Sequence, residues 1–92
     1  MKKICKYTLQ PMDFQNLKLP KGSKIISVIE QYDEMVLYAI VDTDTLETEI
    51  YDIAVKGTGH DFPEKLDTYT FLGSVKLMGG SLVFHVFYKK VE

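Results

Sequence analysis

Most of the chemistry open to this sequence sits in two histidines and the glycines near them. His60 closes the run Gly57, Thr58, Gly59, His60, and His85 lies inside Ser81 to Tyr88, shortly after the pair Gly79, Gly80. Glycine takes positive φ at no steric cost, so successive backbone N–H groups of the first run can converge into a nest that holds an anion. Thr58 adds a hydroxyl to such a nest and His60 an imidazole. The competing reading is a strand-to-loop turn in which His60 caps a carbonyl. The run lacks the third glycine of the dinucleotide fingerprint and the Gly, Lys, Ser/Thr spacing of a P-loop.

His85 is flanked by Leu82, Val83, Phe84, Val86 and Phe87. A buried imidazole stays neutral and needs hydrogen-bond partners, so a satisfied core or interface histidine is the plain reading. Convergence of His60 and His85 in one cleft would favour a ligand instead. Neither has a second histidine or a cysteine at i+2 or i+4, and no metal or cofactor is expected. No catalytic residue is assigned. No serine or cysteine sits in a nucleophile elbow, and Asp42, Asp44, Glu47, Glu49 and Asp52 fall at turn and solvent-facing positions. Two histidines acting as acid and base on a phosphodiester form the enzymatic alternative. Cys5, in the first strand, is read as a small core or edge residue.

The elements that must position these residues are strands. Period-two patterning predicts six of them: Lys3 to Gln10, Lys24 to Gln31, Met35 to Val41, Glu47 to Lys56, Tyr69 to Leu77 with a bulge at Gly73, and Ser81 to Lys90. Leu17 to Leu19 is a short extended piece, and Asp13 to Lys18 could form a brief helix. Asp33 and Glu34 make a hairpin turn, and three consecutive strands then read as a meander. Gly57 to Thr68 is the longest irregular segment, with one helical turn expected over Pro63 to Leu66. In the last strand Leu82, Phe84, Val86 and Tyr88 face one way while Val83, His85 and Phe87 face the other. A strand apolar on both faces belongs at the middle of a sandwich or against another subunit. The expected class is an all-β antiparallel sandwich or barrel-like sheet.

At 92 residues the chain reads as a single domain, 1–92. Such a domain buries only about 60 to 65% of its unfolded surface, so its core is thin. Hydrophobic residues at 46% and charged residues at 26% exclude wholesale disorder. A net charge of -2 gives no basic footprint for general nucleic-acid binding. No apolar run approaches the roughly 18 residues of a membrane span, and no signal-peptide stretch follows Lys2 and Lys3. The lone cysteine suits a reducing compartment, and the cytoplasm is expected.

The segments Leu19 to Val28 (LPKGSKIISV), Gly57 to His60 (GTGH) with Pro63, and Gly73 to Phe87 (GSVKLMGGSLVFHVF) resemble a family of small bacteriophage and prophage proteins. Those proteins share a PKGAKILSV start, a GTGH loop followed by a proline, and a GG-LVFHVF end. Two departures stand out. Many members have a tryptophan in the strand matching Met35 to Val41, whereas this chain has Tyr38 there, and Lys89 to Glu92 continue past the usual end. The resemblance implies phage origin and action in the host bacterial cytoplasm.

Two functions fit. One is a non-enzymatic sponge that sequesters a nucleotide immune signal of the host. Gly57, Thr58 and Gly59 would donate to phosphate, and Lys56 and His60 would add charge or polar donors. Gly79 and Gly80 would admit a second backbone segment beside His85, with Tyr69, Phe71 or Tyr88 stacked on a base. A thin core cannot enclose a nucleotide, so a homo-oligomer with the site between subunits is expected. The alternative is a protein-binding inhibitor of a host factor, or a virion accessory protein, with no small-molecule ligand.

Overall fold

Alternating side chains let each strand bury one face and leave the other to solvent, and this chain uses that pattern throughout. The computed structural model describes residues 1–61 and 65–91. Among them are seven strands: β1 (Lys2–Leu9), β2 (Phe14–Pro20), β3 (Lys24–Gln31), β4 (Glu34–Asp42), β5 (Thr48–Gly57), β6 (Thr70–Leu77) and β7 (Leu82–Lys90). A single 3-10 turn, Met78–Gly80, joins the last two. The strands form two antiparallel sheets, ordered β1-β4-β3 and β2-β5-β7-β6. The expected all-β sandwich is therefore what forms.

Leu9, Ile25, Val28, Met35 and Leu37 from the three-stranded sheet pack on Leu19, Ile53, Val55, Val75 and Val86 from the four-stranded one. Each such side chain contributes about 1.5–3 kcal/mol when fully buried. Along β3 and β6 the sheets approach closely, and a Cβ on Gly73 would lie 3.2 Å from Cγ1 of Val28. The β6–β7 register shifts between Phe71 and Gly73, so the bulge expected from the sequence is present where the backbones meet.

Three expectations are corrected. Residues 13–18 are not helical: β2 starts at Phe14 and pairs with β5 along its whole length. Phe14, Asn16 and Lys18 face outward and are exposed, and the period is hidden at the start of the strand, where apolar Phe14 faces out and polar Gln15 faces in. The meander is absent, because β5 leaves β4 and crosses to the other sheet, where β2 and β7 flank it. The β3–β4 hairpin turns one residue earlier than expected: Tyr32 and Asp33 carry the positive φ values, 53° and 61°, of a two-residue primed turn. The helical turn expected from Pro63 falls outside the described residues.

β7 lies between β5 and β6, as the apolar character of both its faces implies. Because β5 and β6 are each antiparallel to β7, they run parallel to one another. Their connection, residues 58–69, must therefore carry the chain from one end of β7 to the other. Thr58 bonds to Val83 at one end, and Tyr69 lies against Lys89 at the other. The long irregular segment is first a topological necessity.

Candidate functional site

Strand β5 ends at Gly57, opposite Phe84 of β7, with Lys56 opposite His85. The backbone then turns: the His60 N–H donates to the Gly57 carbonyl at 3.2 Å, and Gly59 has φ +85°. This is the geometry of a type II turn, in which only the third residue needs glycine's freedom. Gly57 serves a different purpose. A Cβ there would sit 2.7 Å from both Nδ1 and Cε1 of His60, so the imidazole lies directly on the glycine backbone. The ring borders a cleft of about 230 Å³, with Gly57, Thr58 and His60 on one wall and residues 81–84 on the other.

The anion nest does not form as the sequence suggests. The Thr58 N–H donates to the Val83 carbonyl at 3.0 Å, and the His60 N–H is used within the turn. Of the donors that would cradle a phosphate, one is spent on holding the turn against β7 and another on closing the turn itself. Lys56 does not reach the cleft either, since alternation sends it to the opposite face of the sheet. There its side chain is buried, with Nζ 4.4 Å from the Phe14 ring centroid and 3.8 Å from the Asp13 carboxylate.

His85 shares that opposite face with Lys56. Its Nε2 is 2.7 Å from the Thr58 hydroxyl, and its Nδ1 is 2.8 Å from the hydroxyl of Ser74, its register partner on β6. In a neutral ring one nitrogen donates and the other accepts, and hydroxyls suit both roles. Thr58 thus lies between the two imidazoles: His60 borders the cleft with it, and His85 bonds to it from the other side of the sheet. The histidines do not share one cleft. Among the described residues no group of three His, Cys, Asp or Glu side chains could hold a metal ion.

This chain belongs to the family described as a domain of unknown function, DUF7352. The match covers residues 1–92. No curated protein and no solved structure matches it.

The remaining candidates of this DUF7352 chain are dispersed. Gly79 and Gly80, with φ +68° and +95°, line a separate depression with Glu30, Asp33 and Lys76. Their turn is tied to the β3–β4 hairpin, where the Met78 N–H donates to Asp33 Oδ1 at 2.6 Å. Tyr88 faces the core, 6.4 Å from the Tyr51 ring, so it is no stacking platform. Tyr69 is half-buried, with the Lys89 ammonium 5.0 Å from its ring centroid. Burial raises its phenol pKa above the usual tyrosine value, and the Asp52 carboxylate adds to the shift. Phe71 is exposed but packs on Phe87, centroids 5.3 Å apart. Cys5 is half-buried against the core on edge strand β1, in keeping with a small core or edge residue.

Residues 81–84 are the cleft wall that sequence reasoning misses. Pattern alone places them in the last strand and says nothing more of them. No sequence signal marks them; only in the structure does Leu82 stand out, an apolar residue at the start of β7 that is 42% open to solvent.

Proposed function

We propose that this chain is a non-enzymatic binding protein whose cleft between the 57–60 turn and the start of β7 holds part of a phosphate-bearing nucleotide. The observation that carries this is the contact of His60 on Gly57: a missing side chain lets an imidazole form one wall of an otherwise mainly apolar cleft. Whole-ligand pockets usually have volumes of about 300–1,000 Å³. A cleft of about 230 Å³ takes only one portion of a nucleotide. Binding without chemistry is favoured because the nitrogens of His85 are engaged by two hydroxyls on the other face, so that among the described residues His60 has no second imidazole to act with. The phage resemblance supplies the setting, a host signal held out of circulation in the bacterial cytoplasm.

Calorimetry against cyclic and linear nucleotides tests the proposal. Heat is expected from at least one, lost in His60→Ala, with the nucleotide returned chemically unchanged after heat denaturation. Return of a cleaved product would mean an enzyme, and no heat with any member on a folded sample would refute ligand binding. Protein binding is the second reading, favoured by Phe14 and Phe71, which are 40% and 56% exposed on the outer face of the four-stranded sheet. A stoichiometric partner from infected host lysate that persists in His60→Ala would support it.

A further inference from the structure

We infer that the cleft takes the uncharged planar base of a nucleotide and leaves the phosphate outside. This rests on the nucleotide-binding reading above and specifies which end of the ligand the protein recognises. Phosphate recognition needs convergent N–H donors or cationic side chains. Here the N–H groups of Thr58 and His60 are already bonded to the carbonyls of Val83 and Gly57. Among the described residues no lysine or arginine lines the cleft, and the nearest in sequence, Lys56, is directed to the other face beside Asp13 and Phe14.

What the cleft does present suits a flat heteroaromatic ring. Leu82, Val83 and Phe84 supply apolar surface along one wall, and the His60 imidazole supplies a planar partner on the other. The Thr58 hydroxyl is engaged with His85, and the Ser81 hydroxyl donates to the Met78 carbonyl at 2.8 Å. The Ser81 oxygen, fixed by that bond, keeps its lone pairs for a base edge, whereas the Thr58 hydroxyl lies with His85 on the other face. Stacking on an aromatic side chain contributes about 1–3 kcal/mol per base and tolerates sequence, because every base has a π-face. With room for a ring but not for a whole nucleotide, the sugar and phosphate extend into solvent.

The test compares adenosine, guanosine, cytidine and uridine with their 5′-monophosphates and with inorganic phosphate, by calorimetry and by competition. At least one nucleoside should bind within about tenfold of its monophosphate, since the phosphate adds little. Inorganic phosphate should not compete. Leu82→Asp, at an exposed position, should weaken the nucleoside at least tenfold while leaving the thermal melt in place. A monophosphate that binds more than about a hundredfold tighter than its nucleoside, or displacement by inorganic phosphate, overturns the inference and leaves nucleotide binding standing. Cyclic dinucleotides that bind while no nucleoside does overturn it in the same way. Absence of binding by every nucleoside and every nucleotide overturns both.

Discussion

Replacing Gly57 by alanine separates two roles that a strand-end glycine can play. The backbone at Gly57 does not lie in the positive-φ region, so an L-residue fits without strain. The new Cβ, however, would fall 2.7 Å from two atoms of the His60 ring, closer than real contacts allow. His60 is exposed, and its ring can rotate away. Displacing a side chain from its rotamer costs about 0.5–1.5 kcal/mol. Against this, alanine lowers the entropy of the unfolded chain and returns about 0.4–1 kcal/mol. The two nearly cancel, so Gly57→Ala should keep its stability within about 1 kcal/mol, a shift in Tm below about 8 °C. The cleft, by contrast, loses one wall. Thermal denaturation combined with nitrogen-edited NMR of the imidazoles reads both effects: the melt holds, the His60 ring resonances move, and those of His85 stay. Destabilisation beyond about 2 kcal/mol, or an unmoved His60, would show that the glycine serves the fold and not the imidazole.

Gly59→Ala should behave in the opposite way. Nothing lies within 4 Å of its absent Cβ, yet its φ of +85° should cost about 1–2 kcal/mol, measured by chemical denaturation. Removing the hydroxyls that bracket His85 by Thr58→Val and Ser74→Ala should cost about 1 kcal/mol per bond, and the pair should be non-additive in a double-mutant cycle. Tyr51 is buried, and that burial, followed by the charge on Glu49, raises its phenol pKa above the ordinary value near 10. Its raised folded pKa means that the associated stability is complete below the unfolded value and is lost as pH rises through the folded one. Denaturation in alkaline buffers should show the loss, and Tyr51→Phe should reduce it. Finally, if copies associate, the outer face of the three-stranded sheet, where Ile4 and Ile29 are 62% and 46% exposed, is the apolar surface to disrupt. Ile29→Lys should then lower the sedimentation coefficient to that of a monomer.

Strands are legible wherever alternation or apolar character is strong, which is why β3 has the limits that its pattern predicts and β7 the faces. β2 is harder to see because its first two residues invert the pattern, with Phe14 facing out and Gln15 facing in. The partner of β5 is not legible, since a turn at Asp42, Thr43, Asp44 serves equally for a hairpin or for a step between sheets. The same limit applies at the site. Glycine content shows that the chain can turn near Gly57, but which N–H groups remain available is decided by Val83, 25 positions away from Thr58. Likewise His85 needs two partners, and Ser74 and Thr58 come to it only through the pairing of β6, β7 and β5.

The central place of β7 also bears on how the protein is made. Six strands precede residues 82–90 in the chain, so during synthesis β5 and β6 emerge with no strand between them. Until β7 leaves the ribosome, both present unpaired edges, and the apolar residues that pack on Val86 and Tyr88 lack their cover. Folding of the four-stranded sheet therefore waits for residues 82–90. Premature termination before residue 82 would yield an aggregating fragment instead of a smaller sandwich.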